Sequence, residues 1–147
     1  MKKITVLAAA LVFGLSFTSC SSDDNADSVA EPVLAGKWEY SKQGVAAQGI
    51  ESLQNYPNTA GCSKDYILLN ANNSFDEALY DKDGAECIED KESGSYSVAN
   101  NVITLDYADS TFDDQYVVLS ITQSELKVKM VTEETNGVDI IYVFTRG

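Results

Sequence analysis

From Gly36 to the end of the chain, apolar and polar side chains alternate with a period of two, in short runs separated by turn-forming residues. That period marks strands with one buried face, because successive strand side chains point to opposite sides whereas a helix repeats every 3.6 residues. Gly36 to Ser41 sets Trp38 and Tyr40 among polar neighbours, and Tyr66 to Leu69 forms a second run. Ser74 to Tyr80 follows an Asn72-Asn73 turn. Gly94 to Val98 aligns Gly94, Tyr96 and Val98, and Asn100-Asn101 then suits a tight hairpin that needs positive φ. Ile103, Leu105 and Tyr107 continue the pattern beyond that turn.

Gln115 to Ile121 and Glu125 to Val131 are the sixth and seventh predicted strands. In the latter, Leu126, Val128 and Met130 oppose Lys127 and Lys129. Asn136-Gly137 precedes the eighth, Val138 to Arg146. Eight strands joined mostly by hairpins bury their edges by closing into an up-and-down antiparallel β-barrel; an open sandwich is the alternative. The expected inward set is Trp38, Tyr40, Tyr96, Leu105, Leu126, Val128, Met130, Tyr142 and Phe144. Such aromatics either line a pocket or fill the barrel, and both readings stay open.

The segment between Gln43 and Lys64 breaks the hairpin rhythm. Ile50, Leu53 and Tyr56 recur there at a spacing near three, which suits a short helix across one barrel mouth, with 44–61 gating access. A surface excursion pinned by Cys62 is the other reading. Two acidic stretches, 81–92 and 106–114, read as loops. The first invites a calcium site, but no EF-hand register fits it, and a solvated Asp-Gly turn accounts for it as well.

The N-terminus has a different pattern. Lys2 and Lys3 precede an apolar run from Ile4 to Phe17, too short to span a bilayer and suited to a signal peptide. The run ends in Thr18-Ser19-Cys20, which resembles the lipobox of bacterial lipoproteins. That resemblance implies cleavage after residue 19 and lipidation of Cys20, the new first residue. Two acyl chains anchor stably where one is marginal. Residues 20–32 then form a flexible acidic tether, and 33–147 the folded domain. The Ser-Asp-Asp stretch behind Cys20 is similar to the surface-export signal of Bacteroidetes lipoproteins, while a plain linker explains it too. The expected location is the outer membrane, with the periplasmic and the cell-surface leaflet both left open.

Composition narrows the chemistry. The 147 residues carry 10 basic and 23 acidic side chains, a formal charge of −13, and no histidine. Nucleic acid is excluded as a partner, since phosphate binding needs clustered Lys and Arg. Imidazole-based triads and zinc sites are excluded as well. With Cys20 lipidated, Cys62 and Cys87 remain as an even pair beyond an export signal, which reads as a disulfide. Neither a metal nor a cofactor is expected. Most carboxylates fall in turns or on outward faces; Glu77 differs, pointing inward if Phe75 and Leu79 do.

Leu34-Ala35-Gly36-Lys37-Trp38 resembles the Gly-x-Trp signature of the lipocalins. Cys62, Lys64-Asp65, Gly94-Ser95-Tyr96 and Val102-Ile103-Thr104-Leu105 are arranged as in lipocalin-like lipoproteins of Bacteroidetes. The resemblance covers roughly 33–147. It implies that Arg146, the sole arginine, packs over Trp38 with Gly36 as part of the signature. It further implies a non-enzymatic binding protein for a small apolar molecule, held by Tyr40, Tyr96, Leu105, Leu126, Val128, Met130 and Tyr142. The alternative is a protein-binding surface lipoprotein whose acidic loops engage a basic partner, such as a cationic enzyme it inhibits.

The anchor has a direct test. Mass spectrometry of the native protein is expected to find a chain beginning at Cys20 and bearing acyl groups, and Cys20→Ala should leave the membrane fraction or fail to mature. Membrane retention with an unmodified Cys20 would overturn the assignment.

Overall fold

The computed structural model describes residues 33–109, 113–132 and 137–147. The expected signal segment, Cys20, the expected tether and Asn136 therefore lie outside the described residues. Nine strands are described: β1 (Gly36–Ala47), β2 (Ile50–Asn55), β3 (Tyr66–Leu69), β4 (Ser74–Asp83), β5 (Glu86–Ala99), β6 (Val102–Tyr107), β7 (Asp113–Ile121), β8 (Glu125–Met130) and β9 (Val138–Arg146). Neighbours in sequence pair antiparallel from β3 through β9, and β9 returns to β1, closing an eight-position barrel. This is the expected barrel, and it excludes the open sandwich. The Asn100-Asn101 turn has the anticipated geometry, with φ of 52° and 63°.

The ninth strand corrects the helix expectation. Residues 42–47 extend β1, and Gln48-Gly49, both at positive φ, turn the chain back into β2. Ile50 is 74% exposed, so the spacing of three does not mark a buried helical face. The cause lies in β1. Its first residues pair with the four-residue β3, but beyond Glu39 that edge has no β3 partner. Unpaired backbone groups there would be costly if buried, and β2 satisfies them from Lys42↔Asn55 to Ala47↔Ile50.

The acidic stretch 81–92 is likewise corrected. It is a hairpin arm, paired from Asp83↔Glu86 down to Ser74↔Ser95, with Gly84-Ala85 at its tip. Most of its side chains are exposed, so no burial imposes an apolar face and the period of two is invisible in the sequence. Both ends of 106–114 are also strand, since β6 reaches Tyr107 and β7 starts at Asp113; residues 110–112 lie outside the described residues.

The loop 56–65 completes the wall where β3 is too short. Thr59 Oγ1 donates to the Tyr80 carbonyl at 2.7 Å, and the Tyr80 amide donates to Asp65 Oδ1 at 2.8 Å. On its other side the Tyr40 amide donates to the Asp65 carbonyl at 2.9 Å, and Asn58 Nδ2 donates to the Tyr40 carbonyl at 3.1 Å. The expected disulfide is present: Cys62 joins Cys87 with Cα atoms 5.7 Å apart, fixing this loop to the β4–β5 arm. In the chain-entropy picture a loop of that size stabilises by about 3–4 kcal/mol.

The lower half of the barrel is solid. Trp38, Ile67, Leu69, Phe75, Ile103, Leu105, Leu126, Val128 and Phe144 interlock there, each nearly or fully buried. Burial of one such side chain stabilises by about 1.5–3 kcal/mol. At the base, the Arg146 guanidinium carbon lies 4.0 Å from the Trp38 ring centroid, the two residues being cross-strand partners at the β1–β9 seam. Arg146 also donates to the Ala35 carbonyl through Nη1 at 2.9 Å and to the Val33 carbonyl through Nη2, while the indole N–H donates to the Leu34 carbonyl at 2.7 Å. Gly36 makes this possible. A Cβ at that position would stand 2.2 Å from Arg146 Nη1, and its φ of +138° suits glycine alone.

Arg146→Ala is expected to destabilise by about 0.5–2 kcal/mol from the lost cation–π contact, and more from the freed carbonyls. Urea unfolding followed by Trp38 emission measures both the loss and the altered indole environment. Gly36→Ala should cost less in the Arg146→Ala background than in the parent, because the colliding guanidinium is gone. Additive costs would mean that the two residues are not coupled.

Candidate functional site

Above the packed floor the barrel opens. A cavity of about 400 Å³ is lined by Tyr40 from β1, Tyr56, Glu77 and Leu79 from β4, Glu92 from β5, Tyr107 from β6, Asp114 and Tyr116 from β7, Met130 from β8 and Tyr142 from β9. The void left in the floor is only about 20 Å³, room for about one water-sized sphere. The candidate site is the upper cavity.

The expected pocket residues separate into three groups. Tyr40, Met130 and Tyr142 do line the cavity. Leu105, Leu126 and Val128 do not: they are at most 3% exposed and belong to the floor. Tyr96 sits instead at the β3–β4 turn, where its hydroxyl donates to the Asn70 carbonyl at 2.9 Å. All four point inward as alternation requires, but at a height where the barrel is filled. Glu77 faces inward as Phe75 does.

Tyr56, Leu79, Glu92, Tyr107, Asp114 and Tyr116 were not among the expected site residues. A signal existed for three of them. Tyr107 continues the alternation of Ile103 and Leu105, and Asp114 shares a face with Tyr116 two residues on. Treating acidic residues as exterior hides that pattern.

The polar side chains form one network. Tyr40 donates to Glu77 Oε1 at 2.6 Å and Tyr107 to Glu77 Oε2 at 2.8 Å. Tyr107 also lies 3.2 Å from Asp114 Oδ2, and Tyr116 donates to that oxygen at 3.3 Å. Tyr107 has one hydroxyl proton, so its shorter contact to Glu77 is the stronger bond. Around this network, Tyr40 stacks on Tyr56 with centroids 4.6 Å apart, and Tyr142 meets Tyr40 edge-on at 5.8 Å.

Burial dominates the electrostatics. It pushes the Tyr40, Tyr107, Tyr116 and Tyr142 hydroxyls above their ordinary range, reinforced by the nearby carboxylates. Tyr56 rises to about 12 for the same first reason, with Asp65 adding to it. The phenols are therefore neutral donors at physiological pH. Burial also raises Glu77; the Tyr40 and Tyr107 hydrogen bonds pull it back, while Asp114 and Glu92 push it up. Among the described residues no lysine or arginine pairs with Glu77, Glu92 or Asp114; the lysine ion pairs go to Glu39, Asp76, Glu51 and Asp139. Nor do three carboxylates converge closely enough, among the described residues, to hold a metal ion.

The raised Glu77 has a consequence for stability. As pH rises from the ordinary glutamate value near 4.5 through the higher folded one, the folded state holds more protons than the unfolded, so stability falls. Glu77→Gln does not titrate, and its stability relative to the parent should improve across that interval. Urea denaturation at a series of pH values measures the difference; a constant difference would show that Glu77 is not a desolvated carboxylate.

A family model described as a lipocalin-like domain matches residues 34–128. Among solved structures, a lipocalin-like protein from Bacteroides uniformis superposes with a TM-score of 0.54 at 17% identity, covering 78% of this chain and 98% of that one. An uncharacterized protein from Bacteroides eggerthii gives 0.50 at 14% identity, covering 77% and 98%. At such identities the likeness is one of fold. Comparison with curated protein sequences found no match. With the matched segment spanning the Gly-x-Trp motif and most of both the packed floor and the cavity wall, this chain belongs to the lipocalin-like family.

Proposed function

We propose that this protein is a lipid-anchored binding protein that takes a small, largely apolar molecule into the upper half of its barrel, without turning it over. The observation that carries the reading is the cavity of about 400 Å³ above a floor that is already full. Its volume falls in the usual range of ligand pockets, about 300–1,000 Å³. A barrel that needed only to be stable would fill that space, because unfilled volume forfeits packing energy. The aromatic faces of Tyr40, Tyr56 and Tyr142 supply apolar wall, and the phenol–carboxylate network supplies fixed polar contacts. Cys20, in this reading, holds the barrel on the outer membrane through its acyl chains, with the acidic tether as spacer.

A second reading has its own support in the β4–β5 arm. Glu86, Glu89, Asp90 and Glu92 are exposed along it, and the disulfide at Cys87 ties the arm down close to its tip, which suits a docking surface for a basic protein.

Titration of the delipidated chain with a neutral hydrophobic dye, N-phenyl-1-naphthylamine, separates the two. Saturable one-to-one binding is expected, weakened about tenfold or more, or at least 1.4 kcal/mol, by Met130→Trp, which fills the cavity from β8. Dye binding that does not saturate, or that ignores Met130→Trp, would remove the pocket reading and leave the acidic arm.

A further inference from the structure

The open upper cavity carries an unusual charge. Glu77, Glu92 and Asp114 face it, and the lysine nearest in sequence, Lys91, is held by Asp76 at 3.1 Å across the same β4–β5 pair. Glu77 is only 9% exposed, and the partners it has are two neutral phenols. Two hydrogen bonds orient a buried carboxylate but leave its charge uncompensated, which is costly in a low-dielectric interior. A ligand that brings positive charge relieves that cost, whereas a carboxylate or phosphate ligand adds to it.

The form of the cation follows from the geometry. A hard metal ion needs several oxygens converging on one point, and the described carboxylates do not converge. They are instead spread across β4, β5 and β7, with aromatic rings between and beside them. Ring faces attract a positive charge, most strongly one whose hydration is weak and already shed. Those rings remain neutral phenols, so their faces keep that attraction without competing for the proton. The rim is acidic on balance: Asp90, Glu92 and Asp109 lie beside Tyr107 at the edge of the mouth together with Lys91, whose charge is already paired with Asp76. In a chain of charge −13 such a rim draws cations inward.

We propose that the ligand of the upper cavity is an amphipathic organic cation, an ammonium group on an apolar body, with the ammonium on the Glu77–Asp114 side and the body against Tyr40, Tyr56 and Tyr142. The inference rests on the binding function proposed above and names the class of molecule bound.

Three probes of similar size and different charge test it: 2-phenylethylammonium, 2-phenylethanol and 3-phenylpropanoate, each displacing the neutral dye from the purified full chain. The ammonium should bind about tenfold or more tightly than the alcohol, the scale of one charge-assisted hydrogen bond, and the propanoate most weakly. Glu77→Gln and, independently, Asp114→Asn should each bring the ammonium-to-alcohol ratio toward one. Circular dichroism checks both variants, and Asp114→Asn carries the test if Glu77→Gln does not fold. Equal or tighter binding of the alcohol or the propanoate overturns the inference while leaving the dye-binding pocket intact. So does failure of all three to displace bound dye, or an ammonium preference that both folded variants retain. Loss of the pocket itself would appear separately, as absence of saturable dye binding.

Discussion

A sheet becomes a barrel only when its first and last strands find each other, and here the seam of β1 with β9 carries that constraint. It runs from Trp38↔Arg146 at the base to Ala47↔Val138 at the mouth. Its lower end is clamped by a guanidinium lying on an indole and bonded to backbone carbonyls of the segment leading into β1. That clamp uses residues from opposite ends of the domain, so it forms only once the eight positions have closed. Gly36 is part of it for a steric reason: the guanidinium occupies the space where a side chain would begin.

Closure divides the interior into a lower half that is apolar and full and an upper half that is polar and open. Trp38, Phe75, Leu105 and Val128 are each about 1% exposed in the floor. Net stability of a domain is small, on the order of 5–15 kcal/mol, so a buried carboxylate such as Glu77 is tolerated only where other contacts offset it. The floor supplies those contacts. The shared network of Tyr40, Tyr107 and Tyr116 then fixes the geometry of the two carboxylates it touches. Cavity and floor are thus complementary parts of one arrangement.

The irregular edge of the barrel has its own logic. Because β3 is four residues long, the upper parts of β1 and β4 lack a strand between them. β2 covers β1, and the loop 56–65 covers β4 through the side chains of Thr59 and Asp65. The Cys62–Cys87 bond locks that loop to the arm beyond. This same loop begins with Tyr56, which stacks on Tyr40 in the cavity wall, so the patch that seals the barrel also shapes the site.

The sequence by itself determined the strand pattern, the turn at Asn100-Asn101, the pairing of the two domain cysteines and the inward direction of Glu77. Each depends on local alternation, on positive φ at a turn or on parity, and those are properties of neighbouring residues. It missed β2 and the β4–β5 arm because neither buries a face, and without burial no apolar alternation is imposed. Only the tertiary structure decided which inward residues meet packing and which meet open space. Leu126, Val128 and Met130 share one face of β8, yet the first two lie in the floor and the third lines the cavity. Their height is set by how the strands stagger around the closed barrel, a relation among residues far apart in the chain that no local period encodes.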